Sequence, residues 1–360
     1  MQGTQGKDYL KQYIVKAKPL VQDFLSDEEN RLNDEHFPDV AIDLLSAFKQ
    51  MAVEGKGIRG ALVELFYKAC GGLESEKILK ASIFIELFHA AILVQDDFMD
   101  SDPLRRGIPA IHKQFSDYGK KIGVKINPDH YGNSVATCIA DSGFYYSWKV
   151  LLNSGFSPEI ILSAGKQYAE YIARLGIGQA MDMSITGQIN VKEEDALQVL
   201  LLKSAEYTSI LPATIGALLA GEKDSKKLQN IKEYAKRFGW AFQIQDDILG
   251  LFSKEEELGK PVGSDLREGK NTLLMIHLRK SAVKEYTDFQ NQVLGNSNIS
   301  TQDVIKMKTI LKDSGVYDKV LQLGWTYVKE AIEIVPQITS DEEIATILKS
   351  LAMYMMERTK

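Results

Sequence analysis

The stretch ASIFIELFHAAILVQDDFMD, residues 81–100, is a long apolar segment that ends in three aspartates. Apolar side chains would dominate nearly every face of a helix formed by this segment, which is typical of a helix buried in a large bundle. Asp96 and Asp100 are four residues apart and would therefore lie on one helical face, one turn from each other. Taken alone, the stretch fits either a charged surface turn or a site in which carboxylates bind a metal ion.

The rest of the chain shows the same helical periodicity. Apolar residues recur at intervals of three and four in residues 8–25, 40–53, 161–183, 197–221 and 228–249. No stretch has the alternation and turn signals of a sheet protein, and no low-complexity linker or repeat divides the 360 residues. The sequence therefore predicts one all-α domain over residues 1–360, a single large helical bundle around a central apolar cavity.

Composition and charge limit the possible partners and locations. Hydrophobic residues make up 44% and charged residues 26% of the chain, and the formal net charge is −6, which argues against a nucleic-acid-binding surface. The polar N-terminal segment lacks an apolar signal core, and the apolar stretch 81–94 is too short to span a bilayer. We therefore expect a cytoplasmic protein without stable membrane insertion. Cys70 and Cys138 are expected to be buried thiols in a reducing compartment.

A second acidic pair, Asp246 and Asp247, ends another apolar segment, FQIQDDILG (242–250). Each acidic group is followed by a basic loop, SDPLRRG (101–107) after the first and residues 253–272 after the second. Mg²⁺ prefers carboxylate oxygens and completes its shell with water and substrate phosphates. Arginine binds phosphate oxygens in a bidentate manner. Two acidic groups with basic loops therefore predict a site that holds a metal and a diphosphate from two sides.

Seven motifs, in this order along the chain, resemble those of the trans-isoprenyl diphosphate synthases, the family of farnesyl and geranylgeranyl diphosphate synthases. They are GKGIR (55–59), ELFHAAILVQDDFMD (86–100), RRG (105–107), GQAMD (178–182), KSAEYT (203–208), FQIQDD (242–247) and GKPVGSDLREGKNTLL (259–274). The resemblance covers nearly the whole chain. It implies the all-α isoprenoid synthase fold, a homodimer, and Mg²⁺-dependent head-to-tail condensation of isopentenyl diphosphate with an allylic diphosphate.

The resemblance also implies a role for each matching position. Asp96, Asp100 and Asp246 would bind Mg²⁺, with three ions per site when diphosphate is bound. The candidate catalytic residues are Asp96, Asp97, Asp100, Lys203, Asp246, Asp247 and Lys260. Residues expected at the allylic diphosphate or beside it are Arg105, Gln179, Asp182, Lys203 and Lys260. Residues expected to hold isopentenyl diphosphate are Lys56, Arg59, His89 and Arg106. Gln243 would line the space between the substrates, and Ser204 and Lys270 are further candidate substrate-binding residues.

Product length depends on the helix that carries the first aspartates. In the family, the residue five before the first aspartate often sets the floor of the pocket; here it is Ala91, beside Ile92. Phe88 and Phe84 lie deeper in the same strip, and one helical turn of about 5.4 Å is roughly one isoprene unit. We therefore predict that Ala91 leaves the pocket open and that Phe88 stops the product near twenty carbons, as in geranylgeranyl diphosphate.

Several features depart from the family pattern. Gly250 stands where many relatives have a third aspartate, and Gly60 stands where a proline is common. The polar connection around residues 117–130 looks longer than usual and has no assigned role. A product of C25–C30, or of C15, remains an alternative. A class I terpene cyclase or a non-catalytic partner subunit is less favoured, because the chain has a second set of basic residues and intact aspartates.

Overall fold

The computed structural model describes residues 3–188, 190–253 and 262–359. Lys260, a predicted catalytic residue, lies outside the described residues. The α-helices of the first half are α1 (Thr4–Asp34), α2 (Asp39–Val53), α3 (Ile58–Ala69), α4 (Ser75–Met99), α5 (Ile111–Ile122), α6 (Pro128–Leu152) and α7 (Pro158–Ile185). Those of the second half are α8 (Glu193–Val199), α9 (Leu211–Leu219), α10 (Ser225–Phe252), α11 (Ser264–Glu268), α12 (Leu273–Arg279), α13 (Lys284–Val293), α14 (Thr301–Asp313), α15 (Val316–Ile334) and α16 (Glu342–Glu357). A short 3₁₀ turn, Val335–Gln337, links the last two.

Local sequence explains where several helices begin. The side chain of Asn127 accepts hydrogen bonds from the backbone at the start of α6, and Asp224 does the same for α10. Ser300 and Asp303 form a reciprocal capping box at the start of α14. Four predicted helical segments lie within observed helices: residues 8–25 in α1, 40–53 in α2, 161–183 in α7 and 228–249 in α10. The all-α fold class is confirmed.

Helix α4 lies at the centre of the bundle. It packs against α1, α2, α3 and α6, while α10 packs against α15, α16 and the segment before α9. Phe84, Phe88 and Ala91 of α4 are fully buried, as its apolar sequence predicts. At 25 residues, α4 is long and apolar enough to cross a membrane, contrary to the expectation drawn from residues 81–94 alone, but 67% of its most apolar window is buried inside the fold.

Residues 200–210 form a π-helix between α8 and α9, where the sequence periodicity predicted one uninterrupted α-helix. In a π-helix the backbone bonds run from i to i+5, so each turn holds an extra residue, and such segments occur frequently at functional sites. The motif KSAEYT lies entirely within this segment. The change of register therefore rotates Lys203, Ser204, Tyr207 and Thr208 relative to an ideal helix.

A two-stranded hairpin, β1 (Leu104–Arg105) and β2 (Ile108–Pro109), follows α4 and was not predicted. Arg106 and Gly107 form its turn, and both have positive φ, 54° and 80°, as a tight two-residue hairpin requires.

The predicted long polar connection around 117–130 is mostly helical, because α5 continues to Ile122 and α6 starts at Pro128. The prediction that both cysteines are buried is wrong, because Cys138 is exposed and Cys70 is half-buried; both are free thiols.

Candidate active site

The described residues line a cavity of about 630 Å³, and its lining contains both charged and apolar side chains. Most residues singled out in the sequence line it. These are Lys56, Arg59, His89, Ile92, Asp96, Arg105, Arg106, Gln179, Asp182, Lys203, Ser204, Gln243, Asp246, Asp247 and Lys270. The fold thus brings the two acidic motifs and their basic partners to one space.

The first acidic wall is the C-terminal end of α4. Asp97 is 1% exposed and accepts a hydrogen bond of 2.6 Å from Nε of Arg105. Burial raises the pKa of Asp97 to about 6, although the Arg105 guanidinium opposes that rise. Asp102 also lies 3.5 Å from Arg105. Arg105 is therefore paired with one acid of α4, Asp97, and with one acid of the loop that follows, Asp102.

Two lysines compensate the charge of the first wall from other elements. Nζ of Lys203, in the π-helix, donates to Asp182 of α7 at 2.6 Å and lies 3.8 Å from Asp96. Nζ of Lys270 donates to Asp100 at 2.7 Å and lies 2.6 Å from Glu268. Burial alone would lower the pKa of Lys270, but the surrounding carboxylates raise it well above its ordinary value. Both lysines therefore stay charged beside the aspartates.

The second acidic wall is the end of α10, where the two aspartates have different partners. Oδ1 of Asp247 accepts from the amide of Gln243 at 2.8 Å. Burial, followed by the charge of Asp265, raises the pKa of Asp247 well above its ordinary range. Asp246 instead pairs with Arg358, which lies 112 residues away and follows α16. Nothing in the sequence pattern indicates this partner.

Gly250 leaves room for a carboxylate from another segment. A Cβ placed on Gly250 would approach Oδ2 of Asp265 to 3.2 Å, and the backbone N–H of Gly263 donates to the Gly250 carbonyl at 3.1 Å. Asp265 of α11 thus lies beside the position where many relatives carry the third aspartate of this motif, and it lines the same cavity.

Three basic residues, Lys56, Arg59 and Arg106, line the cavity and form what we call the cationic group. Arg59 is 7% exposed, donates to the Tyr207 hydroxyl at 2.8 Å and to Thr208 at 2.9 Å, and its guanidinium lies 4.5 Å from the centre of the Tyr207 ring. Arg106 donates to the Met51 carbonyl at 2.7 Å. Burial, then the charge of Arg59, lowers the pKa of His89 well below its ordinary value. His89 is therefore neutral at physiological pH.

A buried acid binds the first turn of α3, the helix that carries Arg59. Oε1 of Glu86 accepts from the backbone N–H of Gly60 at 2.7 Å, a bond that proline could not donate. A Cβ on Gly60 would lie 1.8 Å from the hydroxyl of Tyr13. Glycine at this position therefore accommodates Tyr13 and provides an N–H for Glu86, which explains the departure from the family pattern.

The predicted chain-length residues take different positions. Ile92 lines the cavity, whereas the Phe88 ring packs behind two lining rings, 5.3 Å from Phe144 and 6.4 Å from Tyr207 between centroids. Phe84 is fully buried against Tyr168, with 5.8 Å between ring centroids.

Ala91 does not open the cavity as predicted. It faces α6, because a Cβ built on Gly143 would come within 2.8 Å of the Ala91 methyl group and 2.7 Å of Phe48. Ala91 therefore belongs to the close contact between α4 and α6, and helix packing turns it away from the cavity lining.

Comparisons with known proteins agree with this geometry. The family model described as Polyprenyl synthetase matches residues 43–312. The chain is 31% identical to the geranylfarnesyl diphosphate synthase of Aeropyrum pernix, over 94% of this chain and 98% of the relative. It is 29% identical to the geranylgeranyl diphosphate synthase of Sulfolobus acidocaldarius, over 98% of both chains. The chain belongs to the polyprenyl synthetase family. It is a prenyltransferase.

A solved structure of this family has the same fold. The geranylgeranyl pyrophosphate synthase of Corynebacterium glutamicum, solved with isoprenyl diphosphate and magnesium, superposes with a TM-score of 0.89 at 25% identity. The alignment covers 97% of this chain and 99% of the other. The resemblance stated from the motifs is therefore confirmed at the level of family and fold.

Several residues at the polyprenyl synthetase site were missed in the sequence. Tyr207 and Thr208 hold Arg59, and Glu86 holds the first turn of α3 through the backbone N–H of Gly60. The phase of Glu86, three residues before His89 on a buried helix, was a signal that could have found it. Arg358 had no such signal, because its partner lies on a different helix.

Proposed function

We propose that this prenyltransferase catalyses Mg²⁺-dependent head-to-tail condensation of isopentenyl diphosphate with an allylic prenyl diphosphate. The product would be a trans-polyprenyl diphosphate, most favourably the C20 geranylgeranyl diphosphate. The observation that carries the proposal is one cavity lined by two pairs of carboxylate and basic groups, by the cationic group and by apolar side chains. The carboxylates suit a metal-bound diphosphate, the cationic group suits a second diphosphate, and the apolar lining suits a growing chain.

The donor set of the two walls fits Mg²⁺. Asp96 and Asp246 offer carboxylate oxygens to the same cavity, whereas Asp100 is not among its described lining residues and pairs with Lys270. Mg²⁺ prefers carboxylate oxygens, keeps some waters and completes its shell with substrate phosphates. When bound, Mg²⁺ would neutralise negative charge that develops on the departing diphosphate.

The residues of the chain would orient and polarise the substrates. Lys203 and Lys270 place fixed positive charge next to the first wall, where the allylic diphosphate would lie. Lys56, Arg59 and Arg106 would hold the diphosphate of isopentenyl diphosphate, so that its double bond faces the allylic carbon. Neutral His89 can donate a hydrogen bond to that diphosphate without charge. The apolar lining of the cavity would exclude water from the reactive allylic carbon.

Aromatic side chains of the apolar lining favour a limited product length. Phe144 and Ile172 line the cavity, and Phe88 supports Phe144 from behind. We therefore propose that Phe88, together with Phe144, stops the chain. Phe144→Ala should give longer prenyl alcohols than the wild type, and Phe88→Ala a smaller shift in the same direction. Chromatography of dephosphorylated products measures both, and an unchanged profile in both variants would contradict this assignment.

A homodimer is the assembly that the surface supports. Exposed apolar side chains occur on α6 and α7, including Tyr145, Leu162 and Ile177, which are 75%, 61% and 61% exposed. These helices pack together through Trp148, which stacks on Tyr168. We propose that a second copy of the chain covers this face, and that residues 1–360 act as one catalytic domain in a cytoplasmic enzyme. Sedimentation of the wild type and of Ile177→Asp tests it; a monomeric wild type would refute it.

The reaction itself is tested by incubating the purified chain with labelled isopentenyl diphosphate, Mg²⁺ and each allylic diphosphate in turn. The proposal predicts isopentenyl incorporation that requires both the allylic substrate and Mg²⁺. A cyclic hydrocarbon formed without isopentenyl uptake would indicate a terpene cyclase. No product from any starter would indicate a non-catalytic subunit.

A further inference from the structure

Arg358 is a buried arginine that reaches the second acidic wall from the end of α16. Its side chain is 2% exposed. One guanidinium nitrogen donates to Oδ1 of Asp246 at 2.7 Å, and the other donates to the Phe242 carbonyl at 2.7 Å. Nε donates to the Met355 carbonyl at 3.1 Å. All three nitrogens of the guanidinium therefore have acceptors.

Most of these contacts do not involve Asp246. The guanidinium carbon lies 4.2 Å from the centre of the Phe242 ring, and the backbone carbonyl of Arg358 accepts from Gln245 at 2.9 Å. Arg358 is thus fixed by the backbone and by one face of α10. Because an arginine fork has a rigid geometry, it provides a stationary charge against which Asp246 is oriented.

Asp246 itself remains accessible to the cavity. Its side chain is 37% exposed, whereas that of Arg358 is almost fully enclosed. Arg358 is not among the described residues that line the cavity. Arg358 therefore contacts Oδ1 of Asp246 from behind the wall, and a group bound in the cavity meets the carboxylate rather than the guanidinium.

We propose that Arg358 is a positioning residue for the reaction, which holds the carboxylate of Asp246 in the orientation that binds the metal–diphosphate group. This inference rests on the proposed function. The lysines of the first wall can contact substrate directly, because Lys203 and Lys270 line the cavity. Arg358 acts through another residue. Partners that orient a metal ligand in this way commonly contribute 10- to 100-fold to metal affinity.

Metal binding can be measured without the reaction. The free Mn²⁺ signal in electron paramagnetic resonance, recorded with inorganic diphosphate, reports the affinity of the full-length protein. We expect Arg358→Gln to weaken Mn²⁺ binding roughly 10-fold and Arg358→Lys to weaken it less. The matched control is Arg237→Gln, which breaks another arginine pair of α10, with Glu233 and Glu330, and should leave Mn²⁺ binding unchanged.

A double-variant cycle separates positioning from other roles. In an Asp246→Asn background, Arg358→Gln should cause no further loss of Mn²⁺ affinity, because the oriented carboxylate is already gone. A further loss of similar size in that background would overturn the proposal. A melting temperature lowered by Arg358→Gln with wild-type Mn²⁺ affinity would also overturn it, since the residue would then only anchor α16.

Substrate kinetics distinguish positioning of Asp246 from a direct contact between Arg358 and substrate. An increased KM for isopentenyl diphosphate with unchanged Mn²⁺ affinity would show direct substrate contact and would refute positioning. If Arg358→Gln does not fold, Arg358→Lys carries the same test because it keeps the charge. The proposed function fails separately, if the wild type binds Mn²⁺ and diphosphate but incorporates no isopentenyl diphosphate. The inference fails separately, if the wild type is active and Arg358 variants bind Mn²⁺ normally.

Discussion

The two acidic walls of the cavity are built in different ways. On α4, Asp97 pairs with Arg105, eight residues further along the chain, while Lys203 and Lys270 serve Asp96 and Asp100 from inside the cavity. On α10, Asp247 has a neutral amide partner and Asp246 has Arg358. The first wall therefore carries cations that can also contact substrate, and the second wall is oriented from behind. Similar aspartate pairs in sequence thus have different surroundings and different expected tolerance to change.

We expect the largest loss of kcat/KM from a substitution in the first wall. Asp96→Asn removes a charged ligand from the cavity and should lower kcat/KM about 10³-fold, as removal of an electrostatic group from an active site commonly does. Asp247→Asn should lower it only about 10-fold, because burial already favours the neutral form of this carboxyl. Steady-state kinetics at saturating Mg²⁺ compare the two. Equal losses would show that the walls do not differ in this way.

The buried pair of the first wall should matter most for stability. Arg105→Gln leaves Asp97, which is 1% exposed, without its charged partner, and should lower the free energy of unfolding by about 3 kcal/mol. Denaturant unfolding measures this, and Asp97→Asn combined with Arg105→Gln should recover part of the loss. If the double variant is no more stable than Arg105→Gln, burial of an uncompensated charge is not the cause.

The second wall should not gain from a third aspartate. Gly250→Asp places a new carboxylate beside Asp265, whose Oδ2 lies 3.2 Å from the Cβ position. Because like charges disfavour ionisation, we expect kcat/KM to fall about 3- to 10-fold rather than rise. Gly250→Ala is the control for the added Cβ and should fall less. Higher activity in Gly250→Asp would show that the wall lacks a carboxylate.

How much the sequence predicted depends on the distance between partners. The apolar character of α4 and the phase of Asp96 and His89 follow from helical periodicity, and both residues line the cavity. Asp100, expected on the same face, is not among the described lining residues and pairs with Lys270. The orientation of Ala91 does not follow, because contact with Gly143 sets the rotation of α4. The π-helix could not be predicted from the sequence either, because its hydrogen-bond register leaves the apolar spacing almost unchanged.

Long-range pairs were the main omission. Arg358 and Asp246 are 112 residues apart, and a single sequence contains nothing that couples them. The order of the seven motifs compensated for this at the level of family, which the comparisons confirm. The individual roles assigned to the matching residues stay predictions.

The smallest expected effect concerns His89 and pH. Burial lowers its pKa well below the ordinary value of 6.5, so the unfolded chain binds a proton at pH values where the folded chain does not. Stability from this group is therefore lost as pH falls below about 6.5, by about 1.4 kcal/mol per pH unit at most. His89→Gln should show a shallower acid-side decrease in melting temperature between pH 7 and 5.5. Parallel curves would place His89 in a solvated environment.

The most direct test of a site with two acidic walls is a crystal structure with Mn²⁺ and an unreactive allylic diphosphate analogue. Anomalous scattering locates the Mn²⁺ ions independently of the protein atoms. We expect ions between the diphosphate and both walls, with Asp96 and Asp100 on one side and Asp246, still paired with Arg358, on the other. Ions bound at one wall alone, with the other wall making no contact to metal or diphosphate, would contradict it.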